Sequence, residues 1–349
     1  MMGVISTLAF LAVIVVLVLA HELGHFFTAK ARGVTVQEFG LFLPPRILSI
    51  KYGETIYSLN LIPLGGFVKM AGEEDPKVTG SLAGKSIGTR LMVLSAGSIM
   101  NLLLPILLFS IAFMVPHDTI TGKVTIEDVK PDSPAAGAGI RTGDTIISAG
   151  GTPVNNSIDI HRYIELNLGK EITLLVKHSD GAEETLRLIP RWKPPEGQGA
   201  VGVLLKNSET TIVRTSEPFW RAIPKGVVSC VETFVLFKNG IVSMIIGAVP
   251  AQLSGPVGIA QMTGEVAQAG FSPLLEFAAF LSINLGIINI FPLPALDGGR
   301  IAFVLLEWLR RGKRISVKAE SKVHLIGFIL LMAFFLAVTY GDILRIISG

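Results

Sequence analysis

The 349-residue chain has one cysteine, and Lys, Arg, Asp and Glu together make up only 16% of it. The lone Cys230 excludes an intrachain disulfide, and its neighbours suggest neither a metal site nor a nucleophile, so it reads as a buried apolar residue. Soluble domains carry roughly 25% charged residues, so the shortage points away from that class. A net charge of +3 is too small to argue for nucleic acid as a partner. No internal repeat is present, which argues against a transporter built from inverted halves. In place of charge the chain has apolar residues: half of it is hydrophobic and its mean hydropathy is +0.59, as expected of a bilayer protein.

Four apolar runs are long enough to span: about Val4 to Thr28, Leu91 to Val115, Leu274 to Ile290 and Leu325 to Tyr340. The first has no Lys or Arg before it and no small-residue cleavage site before residue 21, which disfavours a signal peptide. Lys and Arg concentrate between Lys30 and Arg90 and again between Arg300 and Lys322, so both stretches are expected on the cytoplasmic side. The segment from 116 to 273 then faces outward. Within it, 226–249 is apolar, but Ser229, Glu232, Asn239 and Ser243 recur along one helical face. An amphipathic helix on the outer membrane surface is expected there, not a fifth crossing.

The first run ends in His21-Glu22-Leu23-Gly24-His25, an HExxH pattern. On a helix, positions i and i+4 share a face, so both imidazoles can reach one zinc ion while Glu22 stands beside them as a general base. Ionisable groups at membrane depth are costly and by default mark function, here hydrolysis within the bilayer. At 1.5 Å per residue His21 lies about 26 Å along a helix from Val4, near the cytoplasmic edge of a core about 30 Å thick. A zinc protease site needs a third protein ligand. Asp297 is the candidate, because it follows the proline-broken run Asn289 to Leu296 and precedes Gly298-Gly299. Irregular backbone at this depth is tolerated where it lines a polar cavity; the plainer alternative is an aspartate that caps the next helix.

Between the second and third runs, Lys123 to Val129, Asp144 to Ser148, Ile172 to Lys177 and Glu184 to Ile189 read as strands, with a helix over Ser157 to Leu166. The run Pro131 to Ile146 resembles the signature loop and strand of a bacterial PDZ domain. Such a domain receives an extended peptide at a sheet edge or acts as a steric filter. Pro190 to Gly199 reads as its exit linker.

Taken together, the HExxH run, Pro63 to Met70, the PDZ signature, Leu253 to Ala260 and Asn284 to Gly299 resemble the bacterial site-2 protease family of RseP-like intramembrane zinc metalloproteases. The resemblance covers essentially the whole chain. It implies that His21, His25 and Asp297 bind Zn2+, that Glu22 is the catalytic base, and that Asn289 and Pro292 of an Asn-x-x-Pro segment contact substrate. It also implies a membrane-associated β-hairpin over Glu54 to Met70, including Gly65 and Gly66, that pairs with an unwound substrate strand. The residues themselves give only an alternating strand, Thr55 to Leu61, and a Gly-Gly turn. Departures from the family pattern occur at Gly40 to Pro45 and at Ala96-Gly97-Ser98; Asn101 just beyond either lines the site or bonds a neighbouring helix, and packing is the favoured reading.

The expected fold is therefore a polytopic α-helical membrane protein with about four spans, the hairpin and an inserted extracytoplasmic PDZ domain. Its expected parts are a membrane domain over 1–119, the PDZ domain over 120–205, an interfacial region over 206–273 and a second membrane domain over 274–349. Expected partners are single-span membrane proteins or peptides as substrates, such as anti-sigma factors after a first cut or remnant signal peptides, together with a PDZ ligand and lipid. The expected location is the bacterial cytoplasmic membrane. A noncatalytic PDZ scaffold is the alternative. His117, His161 and His178 are read as solvated surface residues, and His324 as a structural residue near the cytoplasmic interface.

Overall fold

The computed structural model describes residues 2–73, 75–250 and 254–348. Leu253, which opens one of the motifs above, lies outside the described residues. The chain divides into two compact units: Met1–Ala112 with Ala222–Val227 and Leu253–Gly349, and Phe113–Arg221 with Val228–Gln252.

The first unit holds the four expected runs as helices α1 (Met2–Ala31), α2 (Ile87–Met114), α7 (Phe271–Ile290) and α9 (Val317–Ser348), joined by α6 (Pro256–Ala269) and α8 (Asp297–Leu309). The helix α5 (Phe219–Ile245) is also long and apolar enough to cross, so among the described residues five helices qualify by length and composition. The end of α1 is set by Gly33 at φ +64°, a left-handed position that glycine takes without steric cost. The Val34 N–H donates to the Ala29 carbonyl at 2.9 Å and the Gly33 N–H to Lys30 at 3.1 Å, satisfying orphan carbonyls of the last turn.

Next come two long bent strands, β1 (Val36–Tyr52) and β2 (Thr55–Met70). Each pairs twice: 38–41 lies between 66–69 and 56–59, while 55–60 also pairs with 46–52. The result is a four-segment antiparallel sheet with 66–70 on one edge and 46–52 on the other. The hairpin expected over Glu54 to Met70 is thus corrected. Its turn is Gly53-Glu54, with Gly53 at φ +61°, and β2 continues through Gly65-Gly66. Gly-Gly is a strong turn signal in sequence. Here Gly65 bends a strand at φ +91°, and Gly66 is small because a Cβ would meet Val18 Cγ1 at 2.9 Å and Glu22 Cγ at 3.0 Å.

The second unit contains β3 (His117–Val129), α3 (Pro134–Gly137), β4 (Thr145–Ala149), β5 (Thr152–Pro153), α4 (Ser157–Leu166), β6 (Ile172–Lys177), β7 (Glu183–Leu188) and β8 (Val203–Thr215). Its sheet runs β7-β6-β4-β3-β8, with β5 beside β4, over a core that includes Val124, Ile126, Ile146, Ile160 and Leu174. In the signature loop, Ser133 caps α3 by accepting from the Ala136 N–H, and Pro134 takes the first helical position, where no N–H is needed. Pro190 to Gly199 is not an exit linker. Arg191 N–H donates to Ala200 O, and the chain returns as β8, paired with β3 along His117 to Val129 and running on past residue 205.

The polar stripe of α5 also has a different partner from the one expected. Glu232 pairs with Arg162 at 2.7 Å and Asn239 Nδ2 donates to Glu165 O at 2.7 Å, so the stripe meets α4. Cys230, on the same helix, is half-buried, not buried.

His178, expected to be solvated, is only 12% exposed at its side chain. Its Nδ1 lies 3.0 Å from Asp144 Oδ2 and its Nε2 3.2 Å from Glu184 Oε2. The neighbouring carboxylates, Asp144 first, raise its pKa above the ordinary 6.5. A raised folded-state value means that the stabilisation is full below about pH 6.5 and fades as pH rises through the raised value. In histidine-labelled protein followed by NMR, the His178 midpoint is expected above 6.5 and should fall in Asp144→Asn; an unchanged midpoint would remove Asp144 as the cause.

Candidate metal centre

The site begins with the spacing on α1. His21 and His25 lie one turn apart, with Nε2 atoms 3.2 Å from each other. Asp297 Oδ2, from the first turn of α8, lies 3.0 Å from each of them. Among the described residues this is the one group of three or more metal-ligating side chains whose donor atoms converge. Tetrahedral zinc with bonds of about 2.0–2.1 Å holds its ligand atoms about 3.3 Å apart, and two imidazoles with one carboxylate are a hydrolytic zinc donor set. The residues fit the ion.

Each donor is positioned by specific neighbours. His25 Nδ1–H donates to the Val93 carbonyl on α2 at 2.7 Å, which fixes the proton on Nδ1 and leaves the Nε2 lone pair for the cluster. The close approach of α1 and α2 depends on glycine. A Cβ on Gly24 would meet the Ala96 carbonyl carbon at 2.8 Å, and one on Gly97 would strike His25 Nε2 and lie 2.7 Å from His21 Cε1. Asn101, read as a packing residue, instead places its amide nitrogen 3.3 Å from His21 Nδ1 and is fully buried.

Asp297 arrives through the broken segment after α7. Proline at 292 and 294 prevents the helix from continuing. Ala295 takes φ +75°, a conformation rare for a residue with a Cβ, and its N–H donates to His324 Nδ1 at 3.0 Å. His324 therefore holds the loop in shape from α9. Gly299 lets α8 start beneath that loop, since a Cβ there would meet the Leu293 carbonyl carbon at 3.1 Å. Farther along α8, Glu307 pairs with Arg90 of α2 at 2.6 Å, both side chains being nearly buried, and with Arg314 at 3.1 Å. Burial alone would raise the Glu307 carboxyl, but the two guanidiniums more than offset it and hold it below 4.5. Losing one partner of a buried pair costs about 3–5 kcal/mol.

The cluster opens into a cavity of about 440 Å³ lined by Glu22, by Gly66 to Met70 of the sheet edge, and by Leu296, Glu73 and Arg300. Arg300 and Glu73 pair across it at 2.6 Å. Of the residues expected at the site, His21, Glu22, His25, Asp297 and Gly66 line this cavity, whereas Gly65, Asn289 and Pro292 do not. Gly97 and the Val93 carbonyl are contributors that the sequence reading does not find, and Asn101 is one that it weighs but sets below packing. The only signal for them was a small-residue stretch in an apolar helix, which marks close helix packing.

Peptidase family M50 matches residues 9–334. The chain belongs to peptidase family M50. A relative from Clostridium acetobutylicum is 36% identical over 336 residues, covering 94% of each chain. The zinc metalloprotease RasP of Geobacillus kaustophilus is 30% identical with 97% of both chains covered, and the regulator of sigma-W protease RasP of Bacillus subtilis is 29% identical, covering 99% of this chain and 100% of its own. The crystal structure of a PDZ domain from an SdrC-like protein of Listeria innocua matches 25% of this chain and 97% of its own at 25% identity, with a TM-score of 0.22.

Within this M50 site, Gly97→Ala is expected to abolish stoichiometric zinc binding, because the added methyl occupies the space of the imidazole pair. Gly88→Ala on the same helix, where a Cβ meets nothing within 4 Å, is expected to bind zinc normally. Metal analysis of both purified variants checks this; zinc retained by Gly97→Ala would show that the helices can shift apart.

Proposed function

We propose that this chain is an endopeptidase that cuts single-span membrane proteins within or near their transmembrane segments, with zinc held by His21, His25 and Asp297. That it is a zinc metallopeptidase of the site-2 type follows from its family. The observation that carries the finer reading is the convergence of two imidazoles and a carboxylate at 3.0–3.2 Å, with Glu22 lining the same cavity. Bound zinc supplies Lewis acidity and makes a water acidic enough to act near neutral pH. Glu22 takes the proton from the attacking water and returns it to the leaving amine. A noncatalytic scaffold would give no reason for these four residues to converge.

A helical substrate hides its carbonyls in its own hydrogen bonds, so cleavage needs local unwinding. The sheet edge at 66–70 supports a way to compensate: it lines the cavity and is the outer segment of its sheet, so an unwound substrate can add as a further strand. Gly66 serves this role by letting the edge approach Glu22. Asn289 and Pro292 we assign to substrate contact beyond the cavity, and Gly65 to bending the edge into place. The PDZ domain, taken as 120–205, is proposed to lie outside the bacterial cytoplasmic membrane and to bind a peptide or exclude bulky proteins. The centre then lies near the cytoplasmic face, with α5 in the outer interface. The Bacillus subtilis relative's name refers to sigma-W regulation, which supports an anti-sigma factor as one substrate class; remnant signal peptides are proposed as a second.

Glu22→Gln is expected to hold about one zinc per chain, as wild type does, while cleavage of a single-span substrate falls roughly 10²- to 10⁴-fold. Zinc analysis and a cleavage assay with and without chelator test this, and undiminished cleavage by Glu22→Gln would remove it as the base. In the substrate, Gly or Asn in place of Leu near the scissile bond is expected to raise turnover. Unchanged turnover at several such positions would sink the strand-pairing model.

A further inference from the structure

Asn101 lies on α2 with no exposed surface, and its Nδ2 lies 3.3 Å from His21 Nδ1. If Nδ2 is the donor, Nδ1 must accept, and the proton of a neutral His21 ring must sit on Nε2. Nε2 is the atom that meets His25 and Asp297, and a histidine binds a metal only through an unprotonated nitrogen. The same orientation leaves Asn101 Oδ1 buried without a partner. Rotating the amide by half a turn, which exchanges two atoms that are nearly indistinguishable in shape, resolves both conflicts.

We infer that Asn101 is a positioning residue of the zinc centre: its Oδ1 accepts from His21 Nδ1–H, fixing the tautomer that leaves Nε2 for the metal. It does for His21 what the Val93 carbonyl does for His25. The backbone at Asn101 is itself anchored, because its carbonyl accepts from Ser282 Oγ on α7 at 2.8 Å. The inference rests on the proposed binding of zinc by His21.

The test measures zinc affinity by chelator competition on the full chain in detergent, comparing wild type with Asn101→Leu and Asn101→Asp. Melting of the zinc-free proteins is followed alongside. Leucine is close in shape but accepts nothing, whereas aspartate keeps the acceptor and loses the donor. Asn101→Leu is expected to weaken zinc binding roughly 10- to 100-fold, and Asn101→Asp to bind at least as tightly as wild type. Equal loss in both variants would identify the amide nitrogen as the working atom and overturn the inference. Equal affinity in all three overturns it as well, and leaves Asn101 a packing residue. If Asn101→Leu does not fold, Asn101→Ala, which likewise accepts nothing, takes its place with the same expected loss. A wild type that holds no zinc removes the metal-centre reading itself, a result distinct from loss confined to the variants.

Discussion

A carboxylate and two imidazoles meeting at 3.0–3.2 Å among apolar helices is an arrangement that must be compensated, because unpaired polar groups are costly in such surroundings. Much of the first unit can be understood as meeting that requirement. The i, i+4 spacing on α1 supplies the imidazoles. Gly24 and Gly97 let α2 come close enough for the Val93 carbonyl to orient one of them. The prolines and glycines around Asp297 convert what would be continuous helix into a loop that delivers a carboxylate at the N-terminal end of α8, where free N–H groups favour negative charge. His324 holds that loop, and the Arg90–Glu307 pair ties α8 back to α2.

The same constraint shapes the sheet. A strand can pass over the HExxH helix only where it has no side chain to place between them, which is the situation of Gly66 above Val18 and Glu22. The position of one glycine thus links Glu22, the proposed base, to the edge proposed to pair with substrate. Gly40 is constrained in a related way: a Cβ there would lie 2.9 Å from Phe67 Cδ1, on the edge segment that pairs with it.

These relations were unevenly legible in the sequence. The long apolar helices were readable because apolar length is a property of each segment alone, and the shared face of His21, Glu22 and His25 because helical spacing is local. Asp297 was readable from the conflict between its broken surroundings and their apolar context. The hairpin turn was misplaced because Gly-Gly signals a turn as strongly as it signals close approach, and only the packing against α1 separates the two. Strand β8 was missed for a different reason. Lys206 to Thr215 is mostly polar and exposed, so it lacks the alternation that marks a half-buried strand, and the Pro- and Gly-rich stretch before it looked like an exit. Asn101 was underestimated because its partner lies 80 residues away in sequence.

The helix α5 shows how a correct pattern can carry an incomplete reason. In sequence its polar stripe reads as the water-facing side of an interfacial helix, yet Glu232 and Asn239 are engaged by α4. Polarity alone therefore no longer argues for contact with water. Val228, Val231 and Phe234 remain exposed at 46–58%, an apolar surface suited to lipid whether the helix crosses or lies flat. One argument for the proposed interfacial placement survives: a fifth crossing would put the basic cluster after Arg300 on the opposite side from the cluster between Lys30 and Arg90, against the tendency of both to remain cytoplasmic. Charge distribution, not the stripe, is the stronger ground for four spans.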